Sequence, residues 1–192
     1  MTLPHWEYFL SIESDLERCS QFVEFVPNNY KTYSVEFARI IMAAASEFDT
    51  VAKLLCNCLY PDQEPNSINA YHQIITSKYP KFTQYEILIP RYKLDFKPWD
   101  SWQANSSPDW WSKGYNKIKH QRDQHFYQAN LENAILATCG LLTGLLYFYE
   151  AHFGANRPEI DLFQSPKLLS PQNYNLPGLI PASISWGYTL LK

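Results

Sequence analysis

The chain has 192 residues, 46% apolar and 16% aromatic, with a formal net charge of −3 and a pI near 5.9. That length and composition suit one domain with a real core and exclude a disordered chain. The slight acidity excludes a general polyanion binder, so any nucleic-acid contact has to come from a local basic patch.

The start of the chain, Met1 to Glu7, has no basic stretch leading into an apolar run, so no signal peptide is expected. Pro4 suits a first helical position, and Trp6, Phe9, Leu10, Leu16, Cys19 and Val23 recur at helical spacing up to a turn at Pro27-Asn28-Asn29. Glu13, Asp15 and Glu17 read as surface carboxylates of that helix. Ser34 is a suitable N-cap for the next helix, whose stripe is Phe37, Ile41, Ala44, Phe48, Val51, Leu55 and Leu59. Pro61 ends it, and Ala43-Ala44-Ala45 allows a neighbouring helix to approach closely. Asn66 or Ser67 caps a short third helix, Ile68 to Tyr79, closed by Pro80. Tyr85 to Phe96 is rich in β-branched and aromatic residues and predicts an extended excursion broken at Pro90. Trp99 and Trp102 follow in a loop, so residues 85–105 form an extended insertion.

Pro108 to Phe153 predicts two successive helices. On a wheel of the first, Trp111, Tyr115, Ile118 and Arg122 share one side, read as buried. Lys113, Asn116, Lys117 and His120 share the opposite side, with Asn116 and His120 one turn apart. The second helix is apolar nearly all round but, interrupted by Thr138, Gly140, Thr143 and Gly144, falls short of the ~20 residues of a bilayer span, and a core helix is expected. Gly140 and Gly144 cost about 1 kcal/mol each in a helix interior. Such a cost is usually offset by close packing, so contacts on both sides are expected, one of them with a second subunit.

Beyond Gly154, a natural C-cap, five prolines from Pro158 to Pro181 forbid a regular helix. Leu162, Phe163, Leu168, Leu169, Leu179, Ile180, Trp186 and Tyr188 are too apolar for a free linker, so a tail docked on the domain or on a partner is expected. The fold class is therefore mainly all-α: an up-down bundle of four to five helices over residues 1–153, a small extended or β insertion, and a proline-rich C-terminal coil over 154–192.

The order Trp110-Trp111, Tyr115-Asn116, Lys119-His120, Arg122, then Asn130, Asn133 and a long apolar helix resembles the HEPN superfamily of small helical domains in bacterial toxin–antitoxin and abortive-infection systems. The specific part of the resemblance lies in residues 110–133. It implies a symmetric homodimer, RNA or a protein antitoxin as partner, and metal-independent endoribonuclease chemistry. In active members an Arg stands rather more than one helical turn before the His. Here Asn116 occupies the place one turn before His120, and Arg122 and His125 stand only three apart. The resemblance thus implies RNA binding with weakened or absent cleavage.

The candidate catalytic residues are His120, Asn116 and Arg122, and the candidate phosphate ligands are Lys113, Lys117 and Lys119. Imidazole titrates near neutral pH and suits a general acid or base; Asn cannot pair with phosphate charge as Arg does. Trp110 and Trp111 read as core and interface anchors rather than base-stacking platforms. No metal or other cofactor is expected, since Cys56-Asn57-Cys58 has no second pair. Four scattered cysteines suggest reduced thiols and a cytoplasmic location, with no membrane partner. The alternative function is a non-enzymatic dimeric protein-interaction module.

Overall fold

A computed structural model describes residues 3–154 and 164–172. In chain order it contains α1 (Pro4–Cys19), α2 (Val35–Leu59), α3 (Ile68–Lys78), β1 (Ile87–Ile89) and β2 (Leu94–Phe96). A π-helical turn (Trp110–Tyr115), α4 (Asn116–His125), α5 (Leu131–Phe153) and β3 (Ser170–Pro171) follow. The chain is mainly α-helical, with one small three-stranded sheet in the order β2-β1-β3.

Local chemistry sets most boundaries. The Ser34 hydroxyl accepts from the Phe37 amide at the start of α2, and the Ser67 hydroxyl from the Ala70 amide at the start of α3. Asn130 caps α5 through the Asn133 amide. Gly154 ends α5 at φ 50°, a conformation that costs glycine little. The first helix stops at Cys19, short of the Pro27 turn, which forms its own short 3-10 turn. Pro90 interrupts the extended segment as a 3-10 turn between β1 and β2, and the register pairs Ile87 with Phe96.

The core is built on α2 against α5. Every stripe residue of α2 from Phe37 to Leu55 is buried, while Leu59 at its end is half-buried. Such burial contributes roughly 1.5–3 kcal/mol for each large apolar side chain. α5 is 23 residues long and apolar enough to cross a membrane, yet it lies inside the bundle as the core helix its glycines and threonines suggested. Thr138 and Thr143 return their hydroxyls to the Ala134 and Cys139 carbonyls, so their burial leaves no unpaired donor.

The two α5 glycines are filled from within the chain. A Cβ on Gly140 would meet Cζ2 of Trp110 at 2.7 Å, and one on Gly144 would meet the Phe48 ring at 2.9 Å. Close contact at both glycines is thus made by the chain's own rings. Trp99 and Trp102, read as loop residues, are buried around a short 3-10 helix (Asp100–Ala104), Trp99 with its ring centroid 4.4 Å from that of Phe48.

Segment 164–172 docks on the bundle. Glu13 is buried rather than on the helix surface, and its carboxylate accepts from the amides of Lys167, Leu168 and Leu169 at 3.0, 2.8 and 2.9 Å. The Trp6 indole donates to the Gln164 carbonyl at 2.9 Å, Leu168 and Leu169 are buried, and β3 pairs antiparallel with β1. The docking expected of Leu162, Phe163, Leu179, Ile180, Trp186 and Tyr188 lies outside the described residues.

Candidate functional site

Trp110 and Trp111 open the segment that carries the candidate residues. The backbone widens here into a π-helical turn, in which the Asn116 amide reaches the Trp111 carbonyl. The wider turn lets both indoles face inward. Each meets Phe48 nearly edge-on, at 6.1 and 6.0 Å, and the Trp110 indole donates to the Pro98 carbonyl at 2.8 Å. Core anchoring was the role expected of them.

Beyond this turn α4 leaves the core, and Ile118 is its one buried residue. At Gln121 the backbone departs from helical geometry, with φ −143° and ψ 42°. That kink breaks the register that put Arg122 on the buried side. Arg122 is exposed, its guanidinium 5.5 Å above the Phe126 ring.

The structure leaves the candidate polar side chains on this exposed segment. Lys113 pairs with Asp109 at 2.7 Å, and Lys117 donates to Gln121 Oε1 at 2.9 Å. Lys119 donates to the Tyr115 hydroxyl at 3.2 Å and lies 5.1 Å from its ring centre. Exposed contacts of this kind are worth about 0.2–1 kcal/mol and exchange readily for a ligand oxygen. Asn116 is half-buried and His120 exposed, and the two side chains make no hydrogen bond or ion pair among the described residues.

A general acid or base needs a held orientation and an enclosed reacting atom, and no side chain of the described residues orients His120. A groove of about 310 Å³ lies elsewhere, where the end of α1 meets the start of α2, lined among others by Cys19, Phe22, Val23 and Phe37. None of the candidate residues lines it. The charges beside it are mutually satisfied: Arg39 contacts Asp15 at 2.6 Å and Glu36 at 2.7 Å, and Arg18 contacts both at 3.1 Å. The Arg39 hydrogen bond holds the Glu36 carboxyl below its usual range. Burial pushes the Cys19 and Cys56 thiols up to about 11 and about 12, so they are not thiolate nucleophiles at neutral pH.

Asn130 and Asn133, part of the motif order, do structural work. Asn130 also donates to the Tyr127 carbonyl at 3.2 Å, and Asn133 donates to the Gln128 carbonyl at 2.8 Å. Two features were not singled out from sequence as sites. Glu13 had a legible signal, since it falls in the apolar stripe of Phe9, Ile12 and Leu16. The exposed rings of Tyr33 and Tyr127 had none, because their segments lie far apart in the chain and meet through tertiary contacts such as the bridge between Tyr33 and Asn130.

No protein-family model, curated protein or solved structure matches this chain.

Proposed function

We propose that this chain is a HEPN-like helical protein of bacterial defence or toxin–antitoxin type that binds RNA through the exposed face of α4, with little or no cleavage of its own. The observation that carries the reading is the pair Asn116 and His120, one turn apart on α4 and without a hydrogen bond or ion pair among the described residues. Residues 109–127 hold four of the chain's 16 lysines and arginines but two of its 19 carboxylates, a local basic patch on an acidic chain. Phosphate binding by such a patch is electrostatic and salt-dependent. The missing Arg before His120 is the reason for assigning binding rather than turnover.

Pairing of two copies remains part of the proposal, through a face other than α5, whose glycines are already filled. Sedimentation of the protein across a concentration series tests it, and a monomer throughout would remove it. For RNA, fluorescence anisotropy with a labelled strand at rising salt is the direct measurement. Binding that weakens with salt and is lost when Lys113, Lys117 and Arg122 are neutralised supports the assignment; binding indifferent to both sinks it.

A non-enzymatic protein-interaction role is favoured by a different observation. Phe22 is 80% exposed and Val35 64% exposed, both near the groove between α1 and α2. An apolar surface of that kind suits a protein partner. Loss of partner capture on Phe22→Ser, with RNA binding absent in the wild type, would establish that reading instead.

A further inference from the structure

We infer that Tyr33 and Tyr127, beside the end of α4, form a stacking platform for unpaired bases, so that the RNA bound is single-stranded. The inference rests on the RNA reading of α4 and adds the residues that choose the form of the strand. Tyr33 is 54% exposed and Tyr127 52% exposed, large rings that the fold leaves to solvent. Tyr33 is linked to the Arg122 cation through Phe126: Phe126 meets Tyr33 edge-on at 5.8 Å, and the Arg122 guanidinium lies 5.5 Å over the Phe126 ring. His125 meets Tyr127 with ring centroids 6.0 Å apart.

The platform has a fixed base. The Ser34 amide donates to the Ala129 carbonyl at 3.1 Å, and the Leu131 amide donates to the Thr32 carbonyl at 2.9 Å. Two short backbone segments, one carrying Tyr33 and the other following Tyr127, are thereby tied together. Cations interleaved with exposed aromatic rings suit a strand whose phosphates meet Arg122 and whose bases stack on tyrosine. A duplex cannot use such rings, because its bases are already stacked on one another.

The test is anisotropy with three labelled RNA probes of about twelve nucleotides, a length within the span such surfaces cover: an intact single strand, the same strand with abasic sites at its centre, and a duplex hairpin. The intact strand should bind at least about fivefold tighter than either other probe. Tyr33→Ala and Tyr127→Ala should each lose at least about fivefold on the intact strand and leave the abasic strand unchanged. Tyr33→Phe and Tyr127→Phe keep the ring and should bind as the wild type does, which separates stacking from a misfolded platform. Equal affinity for all three probes, or alanine variants that bind the intact strand like the wild type, overturns the platform while RNA binding by α4 stands. A wild-type protein that binds none of the probes overturns the RNA reading itself, and the platform with it.

Discussion

The indole of Trp110 occupies the space a side chain on Gly140 would need, with Cζ2 2.7 Å from where its Cβ would lie. The ring cannot easily yield, because its nitrogen is bound to the Pro98 carbonyl and it packs against Phe48, Trp99 and Trp111. Gly140→Ala improves helix propensity by about 1 kcal/mol, but overpacking of this kind costs about 1–3 kcal/mol. The expected net result is a loss of stability in urea unfolding, against the direction that propensity alone gives. A variant more stable than the wild type would show that the aromatic layer is looser than its contacts imply.

Glu13→Ala should release segment 164–172. Three amides of residues 167–169 lose their acceptor, at about 1–3 kcal/mol for each one left unpaired, offset in part by the relief of burying a carboxylate. A loss of about 2–4 kcal/mol is expected. Limited proteolysis should show faster cleavage between residues 164 and 172 than in the wild type.

The same residue sets a pH dependence. Burial pushes the Glu13 carboxyl above its ordinary range, against the pull of the Leu169, Lys167 and Leu168 amides. A carboxyl whose folded pKa is raised holds its proton more tightly in the folded state. Its stabilising contribution is therefore present at low pH and lost as pH rises through the folded pKa. Relative to Glu13→Gln, which does not titrate, the wild type should gain in Tm as pH falls through the raised folded pKa toward the ordinary glutamate value of about 4.3. A Tm difference that stays constant over that window would contradict the assignment.

His120→Ala should leave the Tm within the range of ordinary surface changes, about 0.5 kcal/mol, because the side chain is exposed and makes no hydrogen bond or ion pair among the described residues. Any RNA cleavage by the wild type should vanish in this variant, as judged by gel electrophoresis of the products. On the binding side, each of Lys113→Gln and Lys117→Gln should reduce the salt slope for a single strand by about 0.7.

Asn130→Ala removes both the cap on the Asn133 amide and the donor to the Tyr127 carbonyl. Caps of this type contribute about 0.5–2 kcal/mol, and the upper part of that range is expected at a buried position. Hydrogen exchange should report it as faster opening of the first turn of α5.

Much of the fold was legible wherever a neighbouring residue determines the outcome. Ser34 and Ser67 cap because a hydroxyl placed before a helix meets an amide of its first turn. Pro90 breaks the extended segment because it lacks the amide hydrogen a strand would donate. The register of the central segment was less legible. A wheel assumes a constant turn, whereas the backbone widens over Trp110–Tyr115 and kinks at Gln121. Tyr115 and Ile118 kept their buried places, while Arg122 moved to solvent. Of the candidate site, exposure of Lys113, Lys117 and His120 was readable from the polar face; the pairing of Lys113 with Asp109 and of Lys117 with Gln121, and the absence of an orienting partner for His120 among the described residues, were not.

By itself the sequence determined that this is a mainly helical chain with an apolar core helix at 131–153, because spacing, caps and prolines act within a few residues. It also marked α4 as the polar, cationic element. Only the tertiary structure decided that Trp110 and Phe48 fill the glycines of α5, that Glu13 holds segment 164–172, and that Tyr33 comes to the end of α4. Those outcomes depend on segments far apart in the chain meeting in space, and no local pattern carries that information.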